Sequence, residues 1–162
     1  MYLYIILTVI TIIYLFLSAC MDFKERKIYS FPAMILSISW FLYLISTGEY
    51  TKGFLVCYTF FNIAMWFLFN RMRIWGAGDS DMFLLLANVL LAVTGPIRGC
   101  EIIILECSAV IGIMCTAIIF GFIEGRVKRK KINLKSKVAV VPGFTFVITV
   151  MLLIGVGGIF NE

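Results

Sequence analysis

The chain has 162 residues, of which 62% are hydrophobic and 14% charged, with a mean hydropathy of +1.06. A water-soluble domain carries about a quarter charged residues, so a soluble fold is excluded and lipid is the solvent this composition fits. The net charge of +5 sits in the connections between apolar runs, which points to membrane topology and anionic lipid and away from nucleic acid.

The first apolar run, YLYIILTVITIIYLFLSA, lacks a basic n-region and exceeds the usual apolar core of a signal peptide. It reads as a retained helix. Five further runs follow, so that spans are predicted at about 2–20, 31–47, 53–70, 81–95, 101–123 and 138–160, each near the length that crosses a bilayer. The reading is one membrane domain over 1–162: an all-α, polytopic fold of six transmembrane helices.

Lysine and arginine set its orientation. Lys24, Arg26 and Lys27 follow span 1; Arg71 and Arg73 follow span 3; Arg126, Lys128, Arg129, Lys130, Lys131, Lys135 and Lys137 follow span 5. The alternate connections hold only Lys52 and Arg98. The rich set belongs in the cytoplasm, with both termini outside. Span 4, cut short by Gly95-Pro96, is the weakest. Making it re-entrant would turn the most basic connection outward, so it is kept, matched by local thinning of the bilayer or by burial among its neighbours.

This topology puts three acids at one depth. Asp22 lies at the cytoplasmic end of span 1, and Asp79 and Asp81 at the cytoplasmic start of span 4, just after Gly76 and Gly78. Two facing carboxylates cannot both ionise easily and share a proton. Such a pair activates a water against a peptide carbonyl without metal, serine or histidine, and the chain has no histidine. Helix-end electrostatics assigns the shared proton to Asp22 and the carboxylate to Asp79. The two glycines let the backbone turn sharply and let another chain come close. The plainer alternatives are that Asp79 is a helix N-cap and that Asp22 is a solvated interface residue.

Two other features stand apart. Glu106 falls inside span 5, where a charge is costly and marks a functional candidate. The cysteines Cys20, Cys57, Cys100, Cys107 and Cys115 form no C-x-x-C pair. They read as small apolar residues packed between helices, with no zinc site.

The spelling of the motifs adds a resemblance. Gly76-Ala77-Gly78-Asp79 fits the GxGD motif of intramembrane aspartic peptidases, and Asp22-x-Lys24-x-x-x-Ile28 precedes it. The arrangement resembles the type IV prepilin peptidase and preflagellin peptidase family, which reads D-x-(K/R)-x-x-x-I-P-N at its first site and GGGD-x-K at its second. Tyr29-Ser30 replaces Pro-Asn, Ala77 replaces a glycine, and Asp81 stands where the family has lysine. Val141-Pro142-Gly143-Phe144 looks like the family's late proline-containing segment.

The resemblance implies a membrane aspartic endopeptidase of the bacterial or archaeal cytoplasmic membrane. Asp22 and Asp79 would be catalytic; Gly76, Gly78, Lys24 and Pro142 would support the motif or bind substrate. No cofactor is implied. Partners would be pilin-like or flagellin-like precursors with a short basic leader, together with the lipid bilayer, and the oligomeric state is left open. The cysteine-rich insert of the larger prepilin peptidases is missing, which matches the short catalytic-core form and speaks against N-methyltransferase activity. The rival readings are a proton-coupled transporter and a non-catalytic membrane subunit of a pilus or secretion machine.

Overall fold

The computed structural model describes residues 2–25, 29–72, 76–96, 99–127 and 139–161. The basic residues Arg26, Lys27, Arg73, Arg98 and Lys128 to Lys137, and Ile28 of the first motif, lie outside them. The described residues form six helices: α1 (Tyr2–Glu25), α2 (Ser30–Thr47), α3 (Lys52–Arg71), α4 (Ala77–Thr94), α5 (Gly99–Val127) and α6 (Val141–Asn161). The chain is all-helical, and α1, α2, α3, α5 and α6 are long and apolar enough to cross a membrane.

Local chemistry places the helix ends. α2 stops at Gly48, whose φ of 69° is left-handed, a conformation glycine adopts without a Cβ clash. Thr51 caps α3 by accepting the Phe54 N–H. Gly95, with φ 65°, closes α4 and Pro96 follows. Pro142 sits in the first turn of α6, where no intrahelical N–H is missed.

Burial divides the helices sharply. Exposed large hydrophobic residues lie on α1, α2, α3, α5 and α6, and among the described residues none lies on α4. Met82, Leu85, Leu86, Val89, Leu90 and Leu91 of α4 are all almost fully buried. α4 packs against α2, α3 and α6 and touches α5. A helix apolar on all sides belongs inside a bundle, so the weak fourth run is explained by burial among neighbours. The other five keep apolar outer faces exposed, the kind of surface that suits lipid.

Lipid offers no hydrophobic drive between helices, so close packing and interhelical hydrogen bonds hold the bundle. Trp40 donates to Thr11 Oγ1 (3.0 Å), Asn88 to Ser37 Oγ (2.8 Å) and Thr145 to the Leu15 carbonyl (3.0 Å). These bonds join α2 to α1, α4 to α2 and α6 to α1. Near the start of α1, Tyr4, Trp40 and Tyr43 form an edge-on aromatic cluster.

The cysteines depart from expectation. All five are exposed and unpaired. They sit on the outer faces of the bundle, where a thiol is a small apolar group.

α6 crosses α5 closely, backbone against backbone, at Gly143. A Cβ there would stand 2.5 Å from the Ile113 carbonyl oxygen and 3.2 Å from the Ala117 nitrogen. Gly143→Ala must push α6 away from α5 and should destabilise the bundle by about 1–3 kcal/mol. Gly157, with nothing within 4 Å of an added Cβ, should accept alanine within about 0.5 kcal/mol. Unfolding in mixed micelles checks the pair; equal effects would show that α5 and α6 do not meet at Gly143.

Candidate functional site

The end of α1 and the starts of α4 and α6 meet at one rim of the bundle. α6 packs against both α1 and α4 and draws their acidic ends together. Asp22, in the last turns of α1, is buried at 6% exposure. Its Oδ2 accepts the backbone N–H of Val141, the first residue of α6, at 3.3 Å. A free N–H at a helix N-terminus aimed at a carboxylate is a natural anion contact.

Asp79 is half-buried in the first turn of α4. Its role in the helix differs from the N-cap alternative. Gly76 is the N-cap, and Asp79 reaches back so that its Oδ2 accepts the Gly76 N–H at 3.2 Å. This is one half of a capping box; glycine has no side chain for the other half. Ser80 bonds the Gly76 carbonyl from both its N–H (3.0 Å) and its hydroxyl (3.1 Å).

Asp22 and Asp79 interact electrostatically across the rim. Burial pushes the Asp79 carboxyl up to about 6; the Gly76 N–H opposes the rise and the like charge of Asp22 adds to it. Asp79 precedes the apolar run of α4, so this balance belongs to the rim and not to the bundle interior. Loss of water thus works against the favourable helix-end dipole at Asp79 and moves its titration towards neutral pH.

Asp81 is buried at 4% exposure, and its Oδ1 accepts the Trp66 indole N–H of α3 at 2.9 Å. Sequence reasoning named neither Trp66 nor the Val141 N–H. A lone tryptophan near the end of an apolar run carries no sign of its partner, and a backbone donor carries no letter at all.

The remaining motif residues fall around this rim. Gly76 has φ −69°, open to any residue, and a Cβ there would stand 3.4 Å from Asp79 Oδ2. Its backbone thus needs no glycine, contrary to the sharp-turn argument. Gly78 lies half-buried in the same helical turn, Lys24 is exposed at the end of α1, and Pro142 is buried beside Val141. Glu106 is not part of the rim. It is buried on α5, with Oε2 accepting the Tyr58 hydroxyl at 3.1 Å. The same hydroxyl reaches the Ala87 carbonyl, two helical turns and roughly 12 Å along α4 from Asp79.

The rim offers a buried carboxyl held by an N–H, a second carboxyl that keeps its proton to unusually high pH, and electrostatic coupling between them. That set can exchange protons with a water or a carbonyl. No protein-family model, curated protein or solved structure matches the chain.

Two measurements probe the rim. Infrared titration should show a protonated carboxyl band with a midpoint near pH 6 that disappears in Asp79→Asn. In Asp22→Asn the midpoint should fall, since a repelling charge is gone, yet stay above the ordinary aspartate value because burial persists. A midpoint unmoved by Asp22→Asn would separate the two groups. Trp66→Phe leaves the buried Asp81 acceptor without its donor and should destabilise the fold by about 1–3 kcal/mol, read by unfolding in micelles.

Proposed function

We propose that this chain is a membrane aspartic endopeptidase of the prepilin peptidase type, with Asp22 and Asp79 as its catalytic pair. The observation that carries the reading is the meeting at one rim of two acids from opposite parts of the sequence, electrostatically coupled and shielded from water. The motif letters around Asp22 and Asp79 supply the class of reaction.

In this reading all six helices cross the cytoplasmic membrane of a bacterium or archaeon, with both termini outside and the rim facing the cytoplasm. α4 crosses within a sheath of protein. The substrate is a pilin-like or flagellin-like precursor whose basic leader lies in the cytoplasm and whose apolar helix lies in the bilayer. Cleavage at their junction then happens at the rim.

The chemistry follows from the two environments. Asp79, raised by burial, is the proton donor, and Asp22 is the base, the reverse of the helix-end assignment. Asp22 takes a proton from water as the water oxygen bonds to the scissile carbonyl carbon. Asp79 gives its proton to the carbonyl oxygen. Collapse of the tetrahedral carbon breaks the C–N bond, and the amine leaves with a proton returned by the pair. Every proton in this sequence moves among the two acids, the water and the substrate, with no cofactor involved.

Leader loss from a co-expressed precursor tests the proposal. Asp22→Asn and Asp79→Asn should each abolish cleavage while the protein still inserts. Asp81→Asn should retain substantial activity, because an amide oxygen still accepts the Trp66 N–H. With purified protein the rate should fall as pH rises from about 6 to about 8 and Asp79 loses its proton. Wild-type cleavage by Asp22→Asn would sink the assignment.

A further inference from the structure

α3 packs on α4 and α5 packs on α6, and between α3 and α5 the bundle leaves a groove of about 310 Å³. Phe61, Met65, Phe69, Phe83, Val110 and Ile111 make its apolar walls. Among its lining residues only Glu106 is charged, and none is lysine or arginine.

Glu106 is 4% exposed. Oε2 accepts the Tyr58 hydroxyl, whereas Oε1 has no hydrogen-bond partner among the described residues. A carboxyl oxygen in apolar surroundings without a donor is unfavourable, so the groove lacks one thing: a hydrogen-bond donor, best a cationic one. The groove's length limits what can bring it. Its walls run from Phe61 to Phe69 on α3 and from Ile103 to Ile111 on α5, roughly 12 Å on each helix. A spanning partner helix presents about 30 Å; an alkyl chain fits the shorter slot.

We propose that the α3–α5 groove binds a single-chain amphiphile with a primary amine head. Its ammonium pairs with Glu106, donating to Oε1, and its chain lies along the aromatic and aliphatic walls. The Tyr58 hydroxyl that holds Glu106 meets α4 at Ala87, roughly 12 Å along the helix from Asp79, and the site does not depend on the peptidase reading.

The test uses the full chain in phosphatidylcholine nanodiscs, whose lipid carries no N–H donor. Cys107 lines the groove and is exposed, so it serves as a reporter once Cys20, Cys57, Cys100 and Cys115 are changed to serine. Dodecylamine should raise the unfolding midpoint saturably and slow alkylation of Cys107. Dodecanol and dodecanoate should do neither. Glu106→Gln should weaken the dodecylamine effect at least tenfold. Ile111→Trp, which fills the groove and keeps Glu106, should abolish it, and answers the question even where Glu106→Gln folds poorly. Equal protection by dodecanol would mean simple partitioning and overturn the proposal, as would unchanged dodecylamine binding in Glu106→Gln. Cys107 cross-linking between chains, unaffected by amine, would overturn it in favour of a second copy's helix in the groove.

Discussion

The start of α4 carries two carboxylates to the edge of an apolar bundle, and the rest of the helix must then run through the centre of that bundle. Both demands are met by surrounding α4 with other helices. Asp81 is tied to α3 through Trp66, and Asp79 folds back on the N–H of Gly76. Below them, Asn88 is tied to α2 through Ser37. Without these donors the same segment would set unsatisfied polar groups in hydrocarbon, which costs several kcal/mol per group.

α6 completes the arrangement from the other side. Its tight crossing over α5 at Gly143 and its bond from Thr145 to α1 fix where its N-terminus lies. That N-terminus meets Asp22. The position of one carboxylate is thus set by a crossing between two helices that carry neither of the paired acids. A change at Gly143 reaches the rim through backbone displacement, with no contact to Asp79 required.

The two acidic features of the molecule are built on different physics. At the rim, like charges meet near free helix-start N–H groups, a setting suited to moving protons. At Glu106 a single carboxyl stands beside a hydroxyl and an apolar groove, a setting suited to holding a donor. Both lie against α4 or its neighbours, roughly two turns apart. α3 spans the interval, bonded at Tyr58 to α5 and at Trp66 to α4, and it is the least buried of the five apolar helices.

Length and hydropathy alone were enough to read an all-helical membrane protein and to set six helical segments within a few residues, because the cost of bare backbone in lipid leaves helices as the simple solution. The spelling of the sequence also singled out Asp22, Asp79 and Glu106, since an acid is conspicuous against an apolar background. Which helix lies in the centre was not legible: α4 and its neighbours share similar apolar letters, and burial depends on packing between segments remote in sequence. The cysteines show the same limit, for a small apolar residue suits the lipid face as well as an interface. Only the tertiary structure brought Val141 to Asp22, Trp66 to Asp81 and Tyr58 to Glu106. It also added the burial that raises Asp79, because a helix dipole can be inferred from position in a segment, whereas loss of water is decided by what packs on top.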